Sequence, residues 1–272
     1  MSGFTSIPKA LFFDVFGTCV DWRKSVTDEL WSSYQESIKN TSLTASISAN
    51  ATGMTKEKWG EIAQEWRNSY LTFTRALATD SSIEWKSVDQ HHLDALHGIL
   101  QSHGLISLKE DGTPEQGSLW NEAQLVELTN IWHRLEPWPD TNQGLTELNK
   151  ISTTCTLTNG NLSLIKDMAA NGNMPFAHLY SAEMFHSYKP NPKVYLGAAE
   201  KIGLPPGECA MVAAHLDDLK FAKRNGMKTI YVLREGEERY PELEKEGFVD
   251  LWIGEDANGF ISVAERLHLC NE

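Results

Sequence analysis

Four short polar clusters hold the residue types that could carry out chemistry in this chain: carboxylates, a lysine, hydroxyls, an amide and an imidazole. Side chains of these types act in proteins as nucleophiles, as general acids and bases, and as hydrogen-bond donors. Each cluster comes after a short apolar or β-branched run, which places it at the end of a predicted strand. The clusters are residues 14–18 (D-V-F-G-T), Thr158 with Asn159, Lys189, and residues 213–218 (A-A-H-L-D-D).

The elements that would hold these clusters are strands that alternate with helices. Apolar or β-branched runs predict strands over residues 9–15, 152–157, 178–181, 209–214, 228–233 and 250–253. Helical spacing predicts helices over residues 162–170, 192–202 and 217–224. This alternation predicts an α/β fold with a doubly wound parallel sheet, in which ligands bind at the carboxyl ends of the strands.

A stretch of different character separates the first strand from the others. Apolar residues recur with helical spacing over residues 24–39, 56–78, 88–103 and 119–135. Residues 41–55 are rich in Ser, Thr, Ala and Asn, a composition that indicates a loop or linker. We therefore expect a core formed by residues 1–22 and 136–272, interrupted by a helical insert over residues 23–135.

The composition is that of a globular protein, and it narrows the range of partners. The chain has 272 residues, with 24 Lys and Arg against 37 Asp and Glu, so its formal net charge is −13. This acidity argues against nucleic acid as the main partner, and no run is long and apolar enough to cross a bilayer. The four cysteines are far apart and the N-terminus lacks a signal-peptide pattern, which together indicate a cytoplasmic protein with reduced thiols. A small anionic substrate stays compatible with the charge.

The polar clusters resemble, in order, the four motifs of the haloacid dehalogenase superfamily. D-V-F-G-T at residues 14–18 is similar to the first motif and L-T-N-G at residues 157–160 to the second. Y-K-P-N-P-K-V-Y at residues 188–195 resembles the third, and M-V-A-A-H-L-D-D-L at residues 211–219 resembles the fourth. The closest subgroup is the type II (S)-2-haloacid dehalogenases, and the helical insert lies where this family has its cap.

The residues themselves help to choose between the phosphatases and the dehalogenases of the superfamily. A phosphatase of this fold needs a second aspartate two places after the nucleophile, as general acid, and magnesium held partly by a fourth-motif acid. These two positions are Phe16 and Ala214 here, which argues against phosphatase activity. Halide leaves without a proton, so the dehalogenase interpretation requires no general acid, metal or other cofactor.

The resemblance implies a role for each candidate residue. Asp14 would be the nucleophile, which displaces halide from carbon to form an ester that water then cleaves. Lys189 would hold Asp14 ionised, and Asp218 would orient Lys189 or the hydrolytic water. Thr18, Thr158 and Asn159 would supply hydrogen bonds to the nucleophile or the substrate, along with nearby backbone N–H groups. Tyr195 would position neighbouring groups, and Val15 and Phe16 would contact the substrate.

Two further residues complete the predicted site. E-W-R-N-S-Y at residues 65–70 resembles the cap segment whose arginine faces the nucleophile, so Arg67 would receive the halide and attract the anionic substrate. The type II pattern often has Ser and Asn where this chain has Ala213 and His215. His215 would donate a hydrogen bond to halide or substrate, or act as a base on water. A homodimer is an expectation that rests on the resemblance alone.

Several alternatives stay open at the level of sequence. The Asp14 nucleophile could act on a carboxylic metabolite without a halogen, or the protein could be a non-catalytic binding protein on an enzyme fold. Arg67 could be an ordinary solvated arginine, His215 a core histidine, and Asp217 a carboxylate favoured at a helix N-terminus. Residues 235–246 are interpreted as a charged surface loop, and the nine tryptophans mainly as packing residues.

Overall fold

Five parallel strands form one sheet in the computed structural model, which describes residues 4, 6–80 and 82–269. The strands are β1 (Ala10–Phe13), β2 (Thr153–Thr156), β3 (Cys209–Ala213), β4 (Lys228–Val232) and β5 (Leu251–Ile253). Their order across the sheet is β2-β1-β3-β4-β5. The predicted α/β fold with a parallel sheet is therefore confirmed.

Strand β1 lies between β2 and β3, and all four of its residues are buried. This burial on both faces explains why its sequence, A-L-F-F, is apolar throughout. Phe13 pairs with Thr156 of β2 and with Val212 of β3, so the residues that follow these three strands start at the same level. The strand order reverses between β1 and β3, and such a switch point opens a ligand-binding crevice beyond the strand ends.

Helices connect the strands and fill the long interval between β1 and β2. The α-helices of the described residues are α1 (Trp22–Ser37), α2 (Ala45–Ala51), α3 (Lys56–Thr79), α4 (Val88–Ser102), α5 (Glu122–Thr129), α6 (Thr141–Leu148), α7 (Leu162–Asn171), α8 (Pro192–Ile202), α9 (Leu216–Arg224) and α10 (Gly259–His268). Short 3₁₀ helices lie at Asn130–His133, Ala182–Phe185, Pro206–Glu208 and Pro241–Glu246.

Helices α1 to α5 lie in chain order between β1 and β2, which is where the sequence predicts the helical insert. The longest is α3, whose N-cap Thr55 accepts a hydrogen bond from the backbone N–H of Lys58. Helix α3 packs against both α1 and α4. Buried apolar residues of these helices and of the sheet form one continuous cluster, which ties the insert to the sheet. Trp59, Trp66 and Trp132 are fully buried in it, as expected of packing residues.

The prediction that residues 41–55 form a loop or linker is wrong, because part of the segment is helix α2. Its N-cap is Thr44, whose hydroxyl accepts a hydrogen bond from the backbone N–H of Ile47. Ile47 and Ala51, four residues apart, are the buried positions of this helix. Two such positions in a Ser- and Asn-rich stretch are too few to produce a helical pattern in the sequence.

Two other boundaries also differ from the sequence prediction. Residues 119–135 do not form one helix, since α5 begins with a capping box, formed by its N-cap Asn121 and by Gln124 in its first turn, and gives way to a 3₁₀ helix at Asn130. Residues 178–181 do not form a strand and make only isolated bridges to the β2 side of the sheet. There the hydroxyl of Thr156 exchanges hydrogen bonds with the backbone of Tyr180, which replaces regular backbone pairing.

Besides α2, the α-helices α6 and α10 were not predicted from the sequence, and these two pack against each other. Within the described residues, no helix has the length and apolar content needed to cross a membrane. Cys19, Cys155 and Cys209 are buried free thiols, and Cys270 lies outside the described residues.

Candidate active site

The predicted site residues meet at the carboxyl ends of β1 and β3. Asp14 directly follows β1, and its backbone N–H donates to the carbonyl of Val212, which continues the pairing with β3. Ala214 and His215 follow β3, and His215 is the N-cap residue of α9. The sheet register therefore sets the first and fourth motifs side by side, although about 200 positions separate them in sequence.

The Asp14 carboxylate is buried and accepts three hydrogen bonds from side chains. Its Oδ1 lies 3.0 Å from Lys189 Nζ, and its Oδ2 lies 2.9 Å from Thr18 Oγ1 and 3.1 Å from His215 Nδ1. Burial alone would raise the pKa of Asp14, but the charges of Lys189 and His215 outweigh it and hold the pKa well below its usual value. Asp14 is thus ionised across the physiological pH range.

Lys189 bridges two carboxylates. Its Nζ lies 2.5 Å from Asp218 Oδ2 in addition to its contact with Asp14, and the two negative charges raise its pKa against the effect of burial. The backbone of Lys189 is held by Asn159, whose Oδ1 accepts from its N–H at 2.7 Å and whose Nδ2 donates to its carbonyl at 3.1 Å. These contacts place the Lys189 side chain between the carboxyl end of β1 and the start of α9.

Asp218 is satisfied by a second donor on the opposite side. The Tyr195 hydroxyl donates to its Oδ1 at 2.6 Å. Burial and the nearby negative charge of Asp14 raise the pKa of Asp218, while Lys189 and Tyr195 oppose the rise. Tyr195 lies in the first turns of α8, so this hydrogen bond fixes α8 relative to α9 and to the lysine between them.

Thr18 joins the loop after β1 to the loop after β3. Its hydroxyl donates to Asp14 Oδ2 and accepts from the backbone N–H of Ala214 at 3.0 Å. Thr18 is fully buried, so its hydroxyl does not form hydrogen bonds with bulk water. Thr18 therefore orients the carboxylate through a contact with both strand ends.

His215 lies between two buried carboxylates. Its Nδ1 faces Asp14, and its Nε2 lies 3.2 Å from Oε2 of Glu237. Burial lowers the pKa of His215, but hydrogen bonds and charge interactions with Asp14 and Glu237 raise it to about 9. The prediction that residues 235–246 form a surface loop is accordingly wrong at Glu237, which is buried.

Arg67 enters the site from helix α3 of the helical insert. Its Nη2 donates to the carbonyl of Phe16 at 3.3 Å, across the boundary between the insert and the sheet. The guanidinium lies over the rings of Phe16, Trp22 and Tyr70, at 4.8–5.6 Å from their centroids. The side chain is buried, and Nη1 has no hydrogen-bond partner. A buried guanidinium with an unused donor is suited to bind an anion.

These side chains surround a small cavity of about 70 Å³. Of the residues singled out in the sequence, its lining includes Asp14, Arg67, Asn159, Lys189, Tyr195, His215 and Asp218. Thr18, Val15 and Phe16 lie behind this lining as buried residues. Thr158 is also behind it, and its hydroxyl accepts from the backbone N–H of Gly160 within its own turn.

Sequence reasoning missed several residues of the site, most of them from the insert and from the loop after β4. Tyr70, Arg75 and Arg239 also line the cavity. Arg75 Nη2 lies 2.5 Å from Asp217 Oδ2, so the predicted helix N-terminal carboxylate also joins α9 to α3. Tyr70 lies one helical turn after Arg67 on α3, and this spacing was a usable signal for a second residue on the same face. No comparable signal marks Glu237.

Comparison with known proteins supports the assignment of the fold. Residues 8–226 match the family model of the haloacid dehalogenase-like hydrolases. An (S)-2-haloacid dehalogenase from Xanthobacter autotrophicus is 26% identical over 235 residues, which cover 85% of this chain and 77% of that protein.

Solved structures show the same similarity over nearly the whole chain. The structure of a defluorinating L-2-haloacid dehalogenase has a TM-score of 0.77 and 28% identity, and the match covers 96% of this chain and 95% of that chain. Another L-2-haloacid dehalogenase has a TM-score of 0.76 and 30% identity, over 97% of this chain and all of the other (100%). The chain belongs to the haloacid dehalogenase-like hydrolase family.

Proposed function

We propose that this protein removes halide from short 2-haloalkanoic acids by hydrolysis, through an ester formed on Asp14 and without a metal ion. The relatives named above are 2-haloacid dehalogenases, which supports this substrate class. The observation that carries the proposal is the pairing, within one small cavity, of an ionised Asp14 with an Arg67 guanidinium that has an unused Nη1 donor. A nucleophile and an anion-binding group are what a displacement of halide from carbon requires.

In the first step, a carboxylate oxygen of Asp14 attacks C2 of the substrate. The new carbon–oxygen bond forms as the carbon–halogen bond breaks, and the halide leaves with the bonding electrons towards Arg67. No proton is transferred, which suits a site where the position two residues after the nucleophile is a buried phenylalanine, Phe16. The guanidinium is always charged and weakly hydrated, so it can bind halide without a large desolvation cost.

In the second step, water attacks the carbonyl carbon of the Asp14 ester. The bond between this carbon and the ester oxygen breaks, so that oxygen leaves on C2 as the hydroxyl group of a 2-hydroxy acid, and a net proton is released to solvent. The water oxygen remains in the Asp14 carboxylate. Asp218 and Lys189, joined at 2.5 Å, are the groups we assign to orienting the water and stabilising the charge that develops on the ester oxygen.

The contacts of Lys189 support a route without metal. Its ammonium group touches both Asp14 and Asp218, the two carboxylates that would be first candidates to bind a divalent cation between the first and fourth motifs. A cation in that position would have to displace the ammonium. We assign Lys189 the charge-neutralising role that magnesium has in a phosphatase.

The decisive test combines halide release with isotope labelling. The purified protein is incubated in H₂¹⁸O with a panel of chloro-, bromo- and fluoroacids, with chelator and without added metal. We expect free halide, and ¹⁸O in the Asp14 carboxylate after a single turnover. The Asp14→Asn variant should release no halide. Halide release by that variant, or a strict requirement for magnesium, would contradict the proposal.

The same experiment also tests a second function that His215 favours. This histidine stands against Asp14 Oδ2 where the family pattern often has a smaller asparagine, so the pocket around the electrophile differs. A different carboxylic metabolite could then form the Asp14 ester. Label in Asp14 with a non-halogenated acid, and no halide release from any haloacid, would favour this second function.

A further inference from the structure

Glu237 is a buried carboxylate in the loop that follows β4, in a run of charged residues that is otherwise mostly exposed. It does not line the cavity described above. Its Oε1 accepts a hydrogen bond at 2.7 Å from Nε1 of Trp22, the first residue of α1. Its other oxygen, Oε2, lies 3.2 Å from His215 Nε2. A buried carboxylate is costly unless it is paired, so these two contacts define its environment.

The backbone at Gly17 makes room for this carboxylate. Gly17 has a φ of +84°, and a Cβ atom at this position would lie 2.0 Å from Glu237 Oε2. A side chain at position 17 would therefore displace the carboxylate from His215. The loop after β1 thus carries the nucleophile, and the absence of a side chain at Gly17 leaves space for the Glu237 carboxylate beside the His215 imidazole.

The two carboxylates determine the protonation state of His215. Each ring nitrogen faces a carboxylate oxygen at 3.1–3.2 Å, and a carboxylate can only accept, so both nitrogens must carry hydrogen. The ring is then an imidazolium. The other charged groups near it in the described residues come from four parts of the chain: Lys189, Arg67 on α3, Glu238 and Arg239 in the loop of Glu237, and Asp217 and Asp218 on its own helix.

We propose that Glu237 is a positioning residue that keeps His215 protonated and directed at Asp14, so that the nucleophile is held by two cations, Lys189 on Oδ1 and His215 on Oδ2. This inference rests on the proposed function and extends it. An imidazolium has no lone pair to accept a proton, so His215 acts as a donor in the resting enzyme and not as a base on water. Of the two roles that the sequence left open for His215, the base on water is excluded by this inference, and the donated hydrogen bond goes to Asp14 instead of halide or substrate.

The first test is the pH dependence of halide release in Glu237→Gln. The substitution removes one of the two charges that favour the imidazolium, so the alkaline limb of the kcat/KM profile should move down by about one pH unit or more. The acid limb should stay in place. Glu235→Gln, the same change at an exposed position of the same loop, should leave the profile unchanged. An equal loss of activity at every pH, or an unshifted profile, would show that Glu237 has only a packing role.

The second test does not require turnover. The ring nitrogens of ¹⁵N-histidine-labelled protein are titrated by NMR, with His215 assigned by its absence from His215→Asn. We expect both nitrogens of His215 to carry hydrogen at pH 7.5 in the wild-type protein. A neutral ring there would overturn the inference, whether or not the protein dehalogenates. An imidazolium together with no halide release would instead count against the proposed function alone.

Discussion

The Nζ atom of Lys189 lies 3.0 Å from Oδ1 of Asp14, although 175 positions separate the two residues in sequence. The same ammonium group reaches Asp218 on α9, so one side chain connects the end of β1 with the start of α9. Because all three groups are buried, their charges interact through a medium of low polarity and are mutually dependent.

Stability should fall with rising pH because of His215. Its folded-state pKa of about 9 exceeds the ordinary value of 6.5, so its contribution to stability is complete below pH 6.5 and is lost as the pH rises through 9. The shift corresponds to on the order of 3 kcal/mol. We expect the free energy of unfolding, measured with urea, to decrease over this interval in the wild-type protein and to decrease much less in His215→Asn. His133, whose pKa is also raised, is less buried, so His133→Asn should retain most of the slope.

Two replacements of Arg67 should distinguish the effect of its positive charge on activity from the effect of its specific contacts. Arg67→Lys keeps the positive charge but loses the contact with the Phe16 carbonyl and the planar stacking on Tyr70. Arg67→Met loses the charge as well. We expect kcat/KM for halide release to fall by roughly 10²-fold in the lysine variant and further in the methionine variant, by analogy with loss of one donor to a developing anion. Wild-type activity of Arg67→Met would remove Arg67 from the halide site.

Tyr195→Phe should impair both stability and turnover. The substitution leaves Asp218 Oδ1 without its donor in a buried site, which costs about 1–3 kcal/mol. Tyr34→Phe is a matched control, because the Tyr34 hydroxyl donates to the carbonyl of Ala51 in the helical insert, away from the cavity. Thermal unfolding should show a loss in both variants, whereas halide release at a permissive temperature should decline only in Tyr195→Phe. A parallel decline in the two variants would indicate a purely structural role for Tyr195.

Gly17→Ala should be far more damaging than Gly53→Ala. Both glycines have a left-handed backbone, with φ of +84° and +81°, so each substitution incurs roughly 1–2 kcal/mol of backbone strain. A Cβ at Gly53 meets no atom within 4 Å, whereas at Gly17 it would meet the Glu237 carboxylate. We expect a clearly larger drop in melting temperature for Gly17→Ala, with loss of halide release. Similar melting temperatures for the two variants would mean that Glu237 can move away at little cost.

Much of the fold was predictable because its signals are local. Strand β1 is an apolar run because it is buried on both faces, and α3 and α8 carry helical spacing and recognisable caps. Helix α2 and the bridges near Tyr180 were not predictable, since a short polar helix and a threonine that bonds the neighbouring backbone leave no periodic pattern. Elements that form because of tertiary packing, and not because of a local sequence pattern, cannot be predicted from the sequence alone.

For the site, the sequence alone determined which chemical groups stand at the strand ends, because each motif is contiguous and follows its own strand. The tertiary structure decided how those groups act. Asp14 is ionised, and His215 is charged, because residues from distant loops bring opposite charges to within hydrogen-bond distance. Thr158 bonds within its own turn, and Glu237 turns inward from a charged run, for reasons of burial that no local pattern records. The protonation states and orientations of Asp14 and His215 depend on the charges of residues that are far apart in the sequence, and only the folded structure places those charges close to them.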